Sequence, residues 1–107
     1  MQAWLLLTAA ILLEVAGTTS MKLSQGFTFA APSVLIFVFY ACSFIALTLA
    51  LRWLDLSVAY ATWAGVGTVL ITLIGFWYFD EQATLFKAVC IALIVIGVVG
   101  LNYSTNI

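Results

Sequence analysis

Charged residues are scarce in this chain of 107 residues, and histidine is absent. Charged side chains make up 7% of the sequence, whereas soluble domains carry about 25%. So few charges cannot cover a surface that faces water, and 66% of the residues are hydrophobic. The composition therefore excludes an ordinary soluble domain and indicates that most of the chain lies in a lipid bilayer.

Ligands for metals and groups for covalent chemistry are also lacking. The chain has two cysteines, Cys42 and Cys90, and each lies in an apolar stretch where a small packing residue is expected. A structural metal site needs more His and Cys ligands than these. The sequence contains no Gly-rich phosphate loop and no nucleophile signature. We expect no metal, no cofactor, no nucleic-acid partner and no enzymatic activity.

The charged residues that are present divide the chain into four apolar stretches. Six of the seven lie near residue 22, at 52–55 and at 80–87, and the stretches between them are 3–21, 32–51, 57–79 and 86–103. Each is close to the ~20 residues with which a helix crosses a bilayer, and in lipid a helix satisfies its own backbone. The first stretch lacks the basic start of a signal peptide. The sequence predicts an all-α integral membrane protein, with residues 1–107 forming a single domain of four transmembrane helices.

Glu14 is the one acidic residue among the first fifty, and it interrupts an apolar run. A charged side chain at a bilayer centre costs roughly 3 kcal/mol on insertion scales, and such residues commonly serve function. We interpret Glu14 as a proton- and substrate-binding residue. The alternative is a protonated carboxyl that only packs against a neighbour.

Helical spacing gives Glu14 a face of small and apolar residues. These residues are Leu7, Ala10, Ile11, Gly17, Thr18 and Met21. Small residues beside a carboxylate leave room either for a ligand or for a close partner helix. Thr18, one turn after Glu14, can hydrogen-bond to the carboxylate or to the helix backbone.

Two aromatic faces are predicted elsewhere in the chain. Tyr60 and Trp63 share a helix face in the third stretch, and Tyr40 shares one with Ser43 and Phe44 in the second. Aromatic rings attract organic cations by roughly 0.5–2 kcal/mol, and a tyrosine hydroxyl can hold a carboxylate in place. The alternative is an interfacial aromatic belt. We expect Leu7, Ala10, Ile11, Gly17, Thr18 and Phe44 to line the substrate pocket around Glu14.

The basic residues give almost no preferred orientation in the membrane. Lys22 and Lys87 fall on one side, and Arg52 and the amino terminus fall on the other. Because an excess of Lys and Arg sets orientation, this balance predicts insertion in both directions. Two opposed copies can then pair as an antiparallel dimer that brings two Glu14 residues together.

Several segments, in order, resemble the small multidrug resistance family of proton-coupled exporters. They are EVAGTTSMK at 14–22, SQGFT at 24–28, Pro32-Ser33, AYATWAGVG at 59–67, and Gly97 with Asn102. With glycine at position 17, the chain is similar to the branch of the family that exports polyaromatic and quaternary ammonium cations. The guanidinium-exporting branch usually has Trp at that place. Ile45, Thr62 and Cys90 depart from the usual residues of that branch.

The resemblance implies a dual-topology, antiparallel homodimer in the bacterial inner (plasma) membrane. It implies that Glu14 of both subunits binds protons and drug in competition, and that Gly65, Val66 and Gly67 kink the third helix. By the same resemblance, the residues that line the Glu14 site include Tyr40, Ser43, Tyr60 and Trp63. Gly97 would lie at the dimer contact. The expected function is proton-coupled antiport of lipophilic aromatic or quaternary ammonium cations. A guanidinium or polyamine exporter and a small structural or regulatory membrane subunit are the alternatives.

The dual topology can be tested by cysteine labelling of the loop at 80–85. A single cysteine placed there should react with an impermeant reagent from both faces of the membrane, because the chain has no orientation bias. Labelling from one face alone would contradict the prediction.

Overall fold

The chain folds into helices joined by short connections. The computed structural model describes the backbone from Gln2 to Asn106 and the side chains as far as Ser104. Within these residues the four helices are α1 (Gln2–Ser24), α2 (Ala30–Ala50), α3 (Leu56–Trp77) and α4 (Leu85–Asn106). All four are long and apolar enough to cross a membrane. The prediction of an all-helical membrane protein with four spans is confirmed.

The helix ends differ from the predicted spans by a few residues. α2 begins at Ala30, two residues before Pro32, because a proline in the first turn interrupts no helical hydrogen bond. α3 ends at Trp77 rather than at residue 79. Beyond it, Asp80 takes a left-handed conformation with φ 55°, and the Glu81 N–H donates to the Gly75 carbonyl at 2.9 Å. The backbone thus leaves the helix at Trp77, two residues before the apolar sequence ends.

Three consecutive left-handed residues connect α1 to α2. Gln25, Gly26 and Phe27 have φ values of 48°, 70° and 68°, and among these only glycine adopts such a conformation without a steric cost. Ser24 braces the turn, since its hydroxyl donates to the Met21 carbonyl at 2.8 Å and accepts from the Phe27 N–H at 3.2 Å. This turn joins α1 to α2 by a short connection, so that the two helices can pack side by side.

The helices form two compact units, which divide between Leu54 and Asp55. In the α1–α2 unit the two helices pack along a buried face of mostly small residues. The buried apolar residues of this unit are Ala3, Leu7, Ala10, Ile11, Val15, Ile36, Ala46 and Ala50. Ser43 of α2 is fully buried and donates to the Ala10 carbonyl of α1 at 2.7 Å. Small residues and this bond allow close approach of the two backbones.

The α3–α4 unit is packed more sparsely. The buried residues of α3 include three glycines, whereas no side chain described in α4 is buried. At the contact, a Cβ on Gly65 would lie 2.5 Å from Cγ2 of Val98 and 3.3 Å from Cγ2 of Ile94. One turn away, Asn102 of α4 donates to the Thr62 hydroxyl of α3 at 3.3 Å. The glycine therefore admits the α4 side chains that hold this unit together.

A methyl group at Gly65 should weaken the α3–α4 contact. We expect Gly65→Ala to lower the free energy of unfolding by about 1–3 kcal/mol, because the new Cβ overpacks against Val98. Gly100→Ala is the matched control, since nothing lies within 4 Å of a Cβ there. Unfolding of the detergent-solubilised protein, followed by loss of helicity, measures both variants. Equal effects at the two glycines would contradict the assigned contact.

Candidate functional site

Glu14 lies in the middle of α1, half-buried beside the face that packs on α2. The hydroxyl of Thr18, one helical turn later, donates to Oε1 of Glu14 at 2.9 Å. Of the two partners that the sequence left open for Thr18, the carboxylate and the helix backbone, the hydroxyl bonds to the carboxylate. Oε2 takes part in no hydrogen bond within the described α1–α2 unit. One oxygen of the carboxylate is thus held and the other is available.

Tyr40 of α2 extends this hydrogen bond into a chain of three groups. Its hydroxyl oxygen lies 2.5 Å from Oγ1 of Thr18. Since a threonine hydroxyl has one proton and Thr18 donates it to Glu14, the Tyr40 hydroxyl donates to Thr18. A tyrosine was expected to hold the carboxylate directly, and instead Tyr40 acts through Thr18. Both hydroxyls then point their protons towards the carboxylate.

Gly17 makes room for the tyrosine ring. A Cβ at this position would lie 2.8 Å from Cδ2 and Cε2 of Tyr40 and 3.3 Å from Cβ of Phe39. Contacts below 3.0 Å require a neighbour to move, and here the neighbour is a flat ring packed on the helix. The glycine therefore fixes how closely Tyr40 approaches α1, and with it the short bond to Thr18.

The other residues predicted to line the pocket in this unit lie largely in the helix contact. Leu7, Ala10, Ile11 and Gly17 are buried, and the Ser43 hydroxyl is bonded to the α1 backbone. The small residues beside Glu14 thus pack against α2. The sequence had left open whether they make room for a partner helix or for a ligand. Phe44 is exposed, with its ring centroid 5.7 Å from that of Tyr40 in a tilted arrangement. Contact of these residues with a substrate stays a prediction.

The α3–α4 unit carries the second predicted aromatic pair. The rings of Tyr60 and Trp63 stack with centroids 5.5 Å apart and an interplanar angle of 28°. Tyr60 is 54% exposed, and Trp63 is half-buried. A cation that reaches this pair would meet a stacked aromatic surface. The sequence predicted that the two rings share a face, and the structure shows that they also contact each other.

The residues predicted to bend α3 leave that helix unbroken, and the glycine predicted to join two copies of the chain has no close neighbour among the described residues. α3 runs without a break through Gly65, Val66 and Gly67, so the hinge stays a prediction. Nothing lies within 4 Å of a Cβ placed on Gly97, and its role in a dimer contact likewise stays a prediction. Sequence reasoning missed the bond between Thr62 and Asn102, although an amide directly after the apolar run of α4 was a signal for it.

The chain resembles known proteins over almost its whole length. A family model described as Small Multidrug Resistance protein matches residues 2–94. An uncharacterized membrane protein of Bacillus subtilis, YvaE, is 54% identical over 92% of this chain and 83% of its own length. The multidrug resistance protein EbrB of the same species is 44% identical over 97% of this chain and 89% of its own. The quaternary ammonium compound-resistance protein QacE of Escherichia coli is 41% identical over 95% and 93%.

The chain of hydrogen bonds at Glu14 predicts a spectroscopic effect. Thr18→Val keeps the shape of the side chain but removes the donor to Oε1, so the infrared carboxyl band of Glu14 should shift. That band is identified by subtraction of the Glu14→Gln spectrum. Tyr40→Phe should shift it less, because it removes only the second donor. Thr8→Val is the control, since Thr8 donates to the Trp4 carbonyl; a Glu14 band unmoved in Thr18→Val would contradict the geometry.

Proposed function

The chain belongs to the small multidrug resistance family, and we propose that it is a proton-coupled antiporter of lipophilic aromatic or quaternary ammonium cations. It is a multi-pass protein of the bacterial plasma membrane, with relatives named for multidrug and quaternary ammonium resistance. The name of QacE supports quaternary ammonium compounds as the substrate class. The proton coupling and the preference for aromatic cations are inferred from the residues of this chain.

The observation that carries the proposal is the environment of Glu14. The carboxyl group lies in an apolar helix, one oxygen is held by Thr18, and Tyr40 holds Thr18 in turn. A charged carboxylate in an apolar medium needs compensation by a proton, a cation or hydrogen bonds. The two hydroxyls supply part of this compensation and orient the group. The free oxygen is where a proton or a cation can supply the rest.

The exchange of protons for cations follows if the two compete for Glu14. When the proton leaves Glu14, the negative charge attracts a cation lipophilic enough to enter the apolar surroundings. When a proton returns, the charge disappears and the cation loses its main electrostatic attraction. If one site accepts either ligand but not both, an inward proton gradient drives the cation outward. This scheme requires only the carboxyl group and a change in the side of the membrane from which that group is accessible.

The aromatic pair of α3 supports the choice of substrate. Tyr60 and Trp63 present a stacked aromatic surface to a planar ring, and cation–π attraction adds to stacking. Such a surface is of less use to a flexible, strongly hydrated polyamine. Guanidinium is planar and also stacks on aromatic rings, and what speaks against it is Gly17, which stands where the guanidinium-exporting branch of the family usually has Trp. We therefore favour aromatic and quaternary ammonium cations over those substrates.

An antiparallel homodimer forms part of the same proposal. The near balance of Lys22 and Lys87 against Arg52 and the amino terminus supports insertion in both orientations. The apolar surface of α4, with an open Gly97, supports a contact between copies. In such a dimer a second Glu14 joins the first, so that two carboxyl groups share protons and substrate.

The role of Glu14 is tested by proton release. Addition of tetraphenylphosphonium, a lipophilic aromatic cation, to purified protein in weak buffer should release protons from the wild type. Glu14→Gln should release none and should lose pH-driven ethidium efflux from liposomes, because an amide cannot exchange a proton. Glu81→Gln is the control, since it removes a carboxylate of the α3–α4 loop. Normal proton release by Glu14→Gln would overturn the mechanism, and none by the wild type would favour a structural or regulatory subunit.

A further inference from the structure

Asn102 lies near the C-terminal end of α4, directly after an apolar run that ends at Leu101, and both of its amide protons are used. Nδ2 donates to the Val98 carbonyl of the same helix at 3.1 Å and to Oγ1 of Thr62 in α3 at 3.3 Å. The Val98 carbonyl can only accept, so it fixes which end of the amide faces the two partners. The bond to Thr62 is therefore a directed link between α3 and α4.

This link and one packing contact together fix the rotation of α3 in the α3–α4 unit. Val98 packs on Gly65, and Asn102, one turn further along α4, bonds to Thr62. Thr62 and Gly65 lie three residues apart on α3 and so share a face. The helix α4 also meets α3 through Ile94 at Gly65 and through Lys87 over the Phe76 ring. Because α4 has no buried side chain among those described, the bond still carries much of the resistance to a rotation. Trp63 follows Thr62 at an offset of about 100° around the helix, so a rotation of α3 would redirect its ring.

We propose that Thr62 and Asn102 form a positioning pair that sets the direction of the Tyr60–Trp63 stack and thereby the preference for planar aromatic cations. The inference rests on the proposed function, since it names what selects among the cations of that site. A planar ring gains from stacking only when the protein rings present their faces to it. A tetrahedral alkylammonium is also attracted to the rings by cation–π interaction, but it has no ring plane that must lie parallel to theirs. Misdirection of the stack should therefore penalise the planar aromatic cations and largely spare the alkylammonium cations.

Equilibrium binding to the purified protein tests this selectivity. Thr62→Val keeps the side-chain shape and removes the acceptor, so ethidium should bind about threefold more weakly, which is the size of an average interhelical hydrogen bond in a membrane protein. Tetrabutylammonium should bind as it does to the wild type. Asn102→Leu should behave like Thr62→Val, and the double variant should be no worse than either single one. Thr62→Ser, which keeps the hydroxyl, should restore ethidium binding.

Thr68→Val is the matched control. Thr68 lies on the same helix and its hydroxyl donates to the Ala64 carbonyl at 2.7 Å, so the variant removes a threonine hydroxyl without touching α4. It should leave both cations unaffected. Equal weakening of ethidium and tetrabutylammonium by Thr62→Val would mean a general structural role and would overturn the inference. Additive losses in the double variant, or failure of Thr62→Ser to restore binding, would also overturn it.

A measurement without ligand separates this inference from the proposed function. With Trp4, Trp53 and Trp77 replaced by phenylalanine, the remaining fluorescence reports Trp63 alone. Thr62→Val should change its emission maximum and its quenching by brominated lipid, and Thr62→Ser should restore both. Unchanged emission in Thr62→Val would overturn the positioning role whether or not any cation binds. Failure of the wild type to bind either cation would instead count against the proposed function.

Discussion

The cost of a carboxylate in an apolar helix is the constraint on which the site depends. Glu14 has no cation beside it on α1, and Lys22 lies eight positions on, about two turns further along. Compensation therefore comes from neutral donors, and the nearest is the hydroxyl one turn away in Thr18. Neutral donors stabilise the charge only in part, which leaves the carboxyl able to accept a proton or a cation. A lysine at the same place would satisfy the group and remove the capacity for exchange that we propose for it.

The two helix pairs use polar contacts for different purposes. In the α1–α2 unit a long buried face holds the helices, and the bond from Ser43 to the Ala10 backbone adds to packing that is already close. In the α3–α4 unit the packed surface is small, so a single bond between Thr62 and Asn102 has more influence on how α3 is turned. The tight pair carries the carboxylate, and the loose pair carries the aromatic stack. A rigid frame suits a charge that needs fixed donors, whereas a loosely held helix can be reoriented at little cost.

The sequence was sufficient for the fold class and for part of the site. Hydrophobic length predicted four helices, and the spacing of Glu14 and Thr18 allowed their bond, with the helix backbone as the other possible partner of Thr18. Spacing along one helix could not reveal that Tyr40, 22 residues from Thr18, reaches the hydroxyl rather than the carboxylate. That outcome depends on the closeness of α1 and α2, which Gly17 and the small residues of α2 set together. The bounds of α3 were missed because hydropathy does not register the turn that the backbone makes at Asp80.

The direction of the hydrogen bonds links the charge on α1 to a side chain of α2. While Glu14 is a carboxylate it can only accept, so Thr18 must donate to it and Tyr40 must donate to Thr18. A protonated Glu14 can donate to Thr18 instead, and the Thr18 proton can then turn towards the Tyr40 oxygen. The Tyr40 hydroxyl is released from its role as donor and can turn to another acceptor, such as the Met21 sulfur at 4.0 Å. Rotation of hydroxyl protons alone would thus connect the protonation of Glu14 on α1 to the hydrogen bond that Tyr40 makes on α2.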